Sequence, residues 1–235
     1  MSSSGIYYLL MKALSLVYLA MVILTFITGI SVRKFNKSLW ILNIVIGAYM
    51  IMLIPAMAQE YLDWPIERSN NLYFASITFS AVLSIVFFWI LNANFLMRIS
   101  TVIALLVAIA LTIYLDDPIL DMDYRPAQIV RKIRVVSGLL VFMMSVWTIS
   151  SIKPENQISY YEHPTFWICS GYVVFYSSSV FSTIIQNYIP ESDHFYSFWE
   201  SVGIIQLGID MLFLVSLIIG FLCSQRITAT SYLRS

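Results

Sequence analysis

Charged residues are scarce in this sequence. Only 11% of its 235 residues are Asp, Glu, Lys or Arg, whereas a soluble domain usually contains about 25%. Hydrophobic residues make up 60% of the chain. So few charges cannot cover a water-facing surface. The composition therefore excludes a soluble globular protein and predicts an integral membrane protein that contacts the lipid bilayer.

Groups that could carry out catalysis are missing from the apolar parts of the chain. The last apolar stretch contains no lysine, which excludes a retinal Schiff base there. No Ser–His pair, aspartate pair or zinc motif falls within an apolar stretch, so intramembrane proteolysis is not expected. Gly-rich phosphate loops are also missing, and the connecting loops are too short to bind nucleic acid. We therefore predict no enzyme, no cofactor and no metal site.

Cysteine, histidine and glycine are scarce as well. Cys169 and Cys223 are expected to be reduced, buried apolar residues, because both fall toward the side that the charges described below assign to the cytoplasm. His163 and His194 lie outside the apolar stretches and on opposite sides, so they cannot jointly bind zinc or haem. None of the eight glycines forms a Gly-x-x-x-Gly pair within an apolar stretch.

Seven apolar stretches fill most of the chain. Each has roughly 17–25 residues, enough for a helix to cross about 30 Å of hydrocarbon. They cover residues 6–30, 38–58, 71–92, 99–115, 135–152, 164–187 and 198–223. The loops between them leave no room for a soluble domain. We predict an all-α fold, a polytopic membrane bundle of seven transmembrane helices that forms one domain over residues 1–235.

The distribution of charge predicts how this bundle is oriented. The loop after the first stretch is basic, with Arg33, Lys34 and Lys37 close together, so it is expected in the cytoplasm. The N-terminus then lies outside and the C-terminus inside. Loops assigned to the inside carry seven basic and two acidic residues, and those assigned to the outside carry five basic and ten acidic residues. The basic residues of loop 116–134 fit least well, because basic loops are usually cytoplasmic and this loop is assigned to the outside. A different helix count would move the loop inside.

Asp210 is the one acidic residue well inside an apolar stretch. An ionisable group at that depth costs roughly 2.5–3.5 kcal/mol on insertion scales, so it normally faces a bundle interior or a polar cavity. At 100° per residue, Gln206 shares its face, and Ser178 and Ser182 share a face of the sixth stretch. Such small polar side chains usually form interhelical hydrogen bonds. Together with Lys12, they are the candidate intramembrane polar site.

Lys12 has two possible roles. The first and last helices of a seven-helix bundle are commonly neighbours, so its ammonium can pair with Asp210. A lysine this close to the end of its span can also extend outward to the headgroups. In that second case, we expect Asp210 to be protonated or to hydrogen-bond to Gln206 and to a hydroxyl of the sixth span.

One region of the chain resembles a known kind of membrane protein. Residues 163–179 read His-Pro-Thr-Phe-Trp-Ile-Cys-Ser-Gly-Tyr-Val-Val-Phe-Tyr-Ser-Ser-Ser, and Ile185-Gln-Asn-Tyr follows at the end of the span. The last span begins near Trp199 and carries polar residues at four-residue spacing. This pattern resembles small seven-transmembrane-helix proteins of Bacteroidota-type bacteria, which are sometimes encoded beside sensor histidine kinases.

The resemblance covers about 60 residues well and the rest only as a hydropathy pattern. It implies a bundle in the bacterial inner (plasma) membrane and an association with signalling. The family tends to carry Asn where this chain has Asp210, and a carboxylate midway along the third span, where this chain has only Ser80 to Ser84. No activity and no site is transferred from the resemblance.

Three functions are compatible with the sequence. The first is a non-enzymatic sensory or accessory signalling subunit that acts through a partner protein, such as a membrane histidine kinase. The second is a small transporter or channel that uses Asp210 as an intramembrane proton or cation site. The third is a structural subunit of an assembly.

Overall fold

A computed structural model of the protein describes residues 3–32, 39–62, 83–91, 99, 102–103, 125–152, 159–188 and 195–232. Apart from a few connecting residues, all of them are helical, so the expected all-α fold is confirmed for this part of the chain. In chain order the elements are α1 (Ser3–Val32), α2 (Leu39–Leu62), α3 (residues 83–91), α4 (Arg125–Ser151), the 3-10 helix η1 (Tyr160–Glu162), α5 (Pro164–Tyr188) and α6 (Phe195–Tyr232).

Most helices extend beyond the apolar stretches that predicted them. α4 begins at Arg125 rather than at 135, and α6 continues to Tyr232 rather than ending at 223. Hydropathy marks only the apolar part of a helix, whereas backbone hydrogen bonding continues into polar residues. Pro126 in the first turn of α4 fits this early start, because proline is favoured there. Pro55 does not end α2, which continues to Leu62.

The predicted third and fourth spans fall largely outside the described residues. Of the stretch 71–92, residues 83–91 are described, and they are helical. Of the stretch 99–115, only three residues are described. Two helices are long and apolar enough to cross a membrane, through the segments Leu9–Val32 of α1 and Val202–Ile227 of α6. Shorter apolar segments are Leu39–Ala48 in α2 and Val135–Ser151 in α4. Within the described residues, length and composition thus support two candidate spans.

The helices form a row of neighbours in the order α2, α1, α6, α5, α4. α1 and α6 run parallel, because Gly29 lies beside Phe221 and, further along both helices, Ser31 Oγ accepts a 2.6 Å hydrogen bond from Gln225 Nε2. The first and last helices are therefore adjacent, as the sequence suggested.

The other neighbouring helices in this row run antiparallel. In each pair, contacts made by higher residue numbers in one helix involve lower residue numbers in the other. These contacts are Gly29 with Asn43 and Phe26 with Gly47 between α1 and α2, Ile168 with Gly220 and Ser178 with Gln206 between α5 and α6, and Gly138 with Tyr176 and Ile149 with Tyr160 between α4 and α5 with η1. α1, α4 and α6 thus share one direction, and α2 and α5 share the opposite one.

Single glycines allow the close approaches between these helices. A Cβ added at Gly220 of α6 would lie 2.7 Å from Ile168 Cγ1 and 3.1 Å from the Pro164 carbonyl oxygen of α5. One added at Gly138 of α4 would lie 3.0 Å from the Tyr176 ring. Small residues have this role in membrane bundles because they let backbones approach each other. The missing Gly-x-x-x-Gly pairs therefore do not mean that glycine is unimportant for packing here.

Candidate functional site

A row of three hydrogen-bonded polar side chains crosses the contact between α5 and α6. Gln206 and Asp210 lie one turn apart on α6, so they stack on the same face. Gln206 Nε2 donates to Asp210 Oδ1 at 2.8 Å. Ser178 Oγ of α5 donates to Gln206 Oε1 at 2.9 Å. The expected hydrogen bond between Asp210 and Gln206 is present, and the hydroxyl from the sixth predicted span binds Gln206. We call Ser178, Gln206 and Asp210 the polar row.

The two hydrogen bonds of the polar row point in the same direction. Ser178 donates to Gln206, and Gln206 donates to Asp210. Aligned bonds of this kind polarise one another, and in a low-dielectric interior they are stronger than in water. All three side chains are only partly buried. The row therefore offers a carboxyl group, held by an amide and a hydroxyl, at a site that is not fully closed by packing.

α1 brings further groups near the polar row. Tyr18 is buried, with 7% of its surface exposed, and it interacts electrostatically with Asp210. The α1–α6 register pairs Gly29 with Phe221 and Ser31 with Gln225. Extending it toward the N-termini places Lys12 at about the depth of Gln206, one turn from Asp210. This register makes an ion pair between Lys12 and Asp210 geometrically feasible, and the pair itself stays a prediction.

Ser182, the remaining predicted site residue, does not join the polar row through its described hydrogen bond. Its hydroxyl donates to the Ser179 carbonyl oxygen of its own helix at 3.4 Å. Many hydroxyls in the described helices are satisfied in this local way, as in Thr25, Ser145, Thr148 and Ser216. A stripe of serines at helical spacing therefore predicts a shared face correctly but does not say which members bond across to another helix.

Sequence reasoning missed Tyr172 as the centre of the buried core. Its side chain is fully buried in α5, and its hydroxyl lies 3.3 Å from Ser84 Oγ of α3. Four rings surround it, from Phe87 and Phe88 of α3, Phe213 of α6 and Tyr176 of its own helix. Ser84 lies in the third predicted span, where it stands out as a polar residue in an apolar stretch. Its aromatic partner was not visible, because tyrosine is abundant in the chain.

Asn43 is a second buried polar residue that sequence reasoning missed. It is 1% exposed and lies in α2 against Gly29 of α1. In the amide orientation that satisfies both of its polar atoms, the nitrogen donates to the Phe26 carbonyl oxygen at 3.2 Å and the oxygen accepts from the Ile30 amide at 3.3 Å. An asparagine inside the second apolar stretch was the available signal. It ties α2 to the last turn of α1.

Polar contacts also connect the elements at the C-terminal end of α6. Arg226 lies 3.8 Å from Glu162 of η1, and both side chains are largely exposed. Trp167 Nε1 donates to the Tyr161 carbonyl oxygen at 2.6 Å, which fixes η1 against the first turn of α5. Exposed ion pairs stabilise little on their own, about 0–1 kcal/mol. These contacts mark the end of the bundle that the charge distribution assigns to the cytoplasm.

The described residues contain no group of three or more His, Cys, Asp or Glu side chains that could hold a metal ion. Cys169 and Cys223 are both free thiols. Cys169 is buried as expected, whereas Cys223 is only partly buried. Comparisons with protein-family models, with curated proteins and with solved structures found no match to this chain.

Proposed function

We propose that this chain is a seven-span integral membrane protein of the bacterial inner membrane, with its N-terminus outside and its C-terminus inside. The main support is the exposure of its long apolar helices. Only 22% of the apolar segment of α1 and 17% of that of α6 are buried in the protein. A core helix of a soluble protein would be mostly buried. Exposed side chains of α1 are Leu9, Leu10, Leu16, Val17, Ile23, Leu24, Ile27 and Ile30.

The directions of the helices support an odd number of crossings. α2 and α4 run in opposite directions, so the chain between them must cross the membrane an even number of times. α3 lies within this interval and packs against Tyr172, near the middle of α5. A helix beside the middle of α5 is expected to cross the membrane once. Because the number of crossings between α2 and α4 must be even, a second crossing is needed there. Two crossings there, added to the other five helices, give seven.

Reporter fusions test this count. Alkaline phosphatase, which is active only outside the cytoplasm, is fused after Leu96 and after Met122. Seven spans place Leu96 inside and Met122 outside, so only the second fusion is expected to be active. A five-span protein would make both fusions active and would overturn the proposed topology.

For its role, we propose a non-enzymatic sensory or accessory signalling subunit that acts through a partner protein. The observation that carries this is the continuity of α6. Its 38 residues span about 57 Å, more than the 40–45 Å of a bilayer with its headgroups. The polar row lies in its N-terminal half, and the contacts of Gln225 and Arg226 lie near its other end. A change at Asp210 can thus shift one rigid element that reaches the cytoplasmic side.

Crosslinking in native membranes tests this role. A photoreactive residue replaces Leu222, which is 51% exposed on the C-terminal half of α6. We expect one signalling protein, such as a histidine kinase, to be captured in stoichiometric amount. Its output should change in Asp210→Asn and stay unchanged in Ser216→Ala, whose hydroxyl bonds only locally among the described contacts. Adducts of the chain with itself alone, or an output indifferent to Asp210→Asn, would reject the signalling role.

The polar row favours a second candidate, a small proton- or cation-coupled transporter. A carboxyl group within a span is typical of ion pathways and proton relays. Uptake driven by a proton gradient into vesicles that contain the purified protein would distinguish the two roles. Transport predicts a flux that Asp210→Asn abolishes and Ser216→Ala preserves. A lack of flux across a broad panel of ions and small solutes would count against it.

A further inference from the structure

Each member of the polar row can both donate and accept a hydrogen bond. Ser178 has a hydroxyl, and Gln206 has an amide with a donor nitrogen and an acceptor oxygen. Asp210 only accepts while it is ionised, but once it is protonated it also has an O–H to donate. A lysine or an arginine in the row could only donate. The residue types of the row therefore allow its two hydrogen bonds to run in either direction.

The direction seen in the structure suits an ionised Asp210. Gln206 Nε2 donates to Asp210 Oδ1 at 2.8 Å, and Ser178 Oγ donates to Gln206 Oε1 at 2.9 Å. A hydrogen bond donated to a carboxylate stabilises its charged form. The same N–H group is a poor neighbour for a metal cation, which needs oxygen ligands. A proton needs only one lone pair of the carboxylate, so it is the cation that fits this row.

Protonation of Asp210 gives the row a second arrangement. Turning the Gln206 amide over exchanges Oε1 and Nε2 within nearly the same volume. Asp210 then donates its O–H to Gln206 Oε1, and Gln206 Nε2 donates to Ser178 Oγ. The Ser178 hydrogen can turn to a carbonyl oxygen of its own helix, as the hydroxyls of Ser177 and Ser182 do. The carboxylate gains one proton, and no other covalent bond changes.

Titratable groups of the two neighbouring helices influence the pH at which Asp210 binds a proton. On α1 these are Tyr18, which interacts electrostatically with Asp210, and Lys12, which the α1–α6 register places one turn from it. On α5 the titratable residue at this depth is Tyr176, whose ring is buried against α4. Asp210 is the one charged residue of α6 from position 201 to 225. A proton bound there therefore changes the charge of this part of α6.

We propose that the polar row is a proton-operated switch, in which Asp210 binds a proton, the Gln206 amide turns over and both hydrogen bonds of the row reverse. The proposal rests on the membrane location and the roles proposed above. It names the proton as the stimulus of a signalling subunit, or as the coupling ion of a transporter. Reversal withdraws the hydroxyl hydrogen of Ser178 from α6, so it changes how α5 and α6 are joined. Switches of this kind need a local change of charge and an element with two arrangements.

Solid-state NMR of the full-length chain in lipid vesicles tests the reversal directly. Isotopic labels are placed on the side-chain nitrogens of glutamine, on aspartate Cγ and on serine Cβ. While the Asp210 carbon signal is that of a carboxylate, the Gln206 nitrogen should couple more strongly to Asp210 Cγ than to Ser178 Cβ. When acid converts that signal to a carboxylic acid, the stronger coupling should move to Ser178 Cβ. The signals are assigned by their loss in Gln206→Met, Asp210→Asn and Ser178→Ala.

Serine variants separate the switch from titration alone. Ser178→Thr keeps a hydroxyl and should keep the switch. Ser178→Ala should let Asp210 titrate while the Gln206 nitrogen stays beside it. Ser182→Ala is the matched control, because its hydroxyl bonds to Ser179 of its own helix, and it should change neither the titration nor the switch.

Two results would overturn the proposal. A carboxylate signal that stays constant over the whole pH range in which the protein remains folded would exclude proton binding. A carboxyl group that titrates while the Gln206 nitrogen keeps its stronger coupling to Asp210 would exclude the reversal. These spectra need no partner protein, so the switch can fail while the signalling role stands, and the crosslinking experiment can fail while the switch stands.

Discussion

The two halves of α6 are packed very differently, although both belong to one uninterrupted helix. From residue 213 to 224, six residues are buried, and they are Phe213, Leu214, Leu217, Gly220, Phe221 and Ser224. From residue 202 to 212, none of the described side chains is buried. The polar row lies in this looser half. Sites that bind and respond are commonly drawn from the less stable parts of a structure, and the polar row lies in the half of α6 that is less closely packed.

Phe221→Ala should give the largest effect in this comparison. Phe221 is completely buried, and truncating such a ring typically costs about 3–5 kcal/mol in the free energy of unfolding. Leu212→Ala is the matched control in the other half, because Leu212 is 58% exposed. It should change stability by about 0.5 kcal/mol or less. Thermal unfolding in detergent followed by loss of monodisperse protein compares the two, and equal losses would show that both halves are equally well packed.

Gly220→Ala and Gly203→Ala should have opposite signs. An added methyl at Gly220 would clash with Ile168 and approach the Pro164 carbonyl oxygen, and overpacking of this kind costs about 1–3 kcal/mol. At Gly203 nothing described obstructs the methyl. There the better helix propensity of alanine should stabilise the protein by about 0.5–1 kcal/mol. A loss of stability at Gly203 would mean that the N-terminal half is as closely packed as the other.

Lys12 and Asp210 should be energetically coupled if they form an ion pair in the looser half. Lys12→Met alone should destabilise the protein, and adding Asp210→Asn should restore part of the loss, because the unpaired carboxylate is then removed. Interacting pairs show coupling energies of about 0.5–3 kcal/mol in double-mutant cycles. Thermal shifts of the wild type, both single variants and the double variant measure this coupling. Additive effects would exclude the pair and leave Lys12 directed toward the headgroups.

Ser178 and Gln206 should show the smallest effect. Hydrogen bonds between membrane helices contribute about 0.6 kcal/mol on average, so a double-mutant cycle of Ser178→Ala and Gln206→Leu should give a coupling near that value. Ser182→Ala is the control, since its hydroxyl bonds to Ser179 of its own helix. If the coupling energy between Ser182 and Gln206 were as large as that between Ser178 and Gln206, Ser182 would also belong to the polar row.

The sequence was most informative where one segment decides the outcome. Within the described residues, helical segments followed from apolar runs, and the helix ends were missed mainly where polar residues such as Arg125 continue a helix. The stacking of Gln206 and Asp210 followed from helical periodicity alone. Ser178 and Ser182 were predicted on the correct face of α5. That Ser178 rather than Ser182 bonds to Gln206 depends on the rotation and register of α5 against α6. Tyr172 and Asn43 could not be recognised as interhelical contacts, because their local sequence does not indicate which helix they pack against.

Composition by itself determined that the chain prefers apolar surroundings, and periodicity determined which residues share a helix face, because both depend only on the chain's chemistry and on the fixed geometry of a helix. Only the tertiary structure decided that α1 runs parallel to α6, that Gly220 and Gly29 are contact points, and that Ser178 completes the row to Asp210. Those facts depend on which helices are neighbours and on how far each is shifted along the other. Apolar helix faces are too alike to specify which helices become neighbours or how they are shifted. A few close contacts and hydrogen bonds decide the neighbours and the shift.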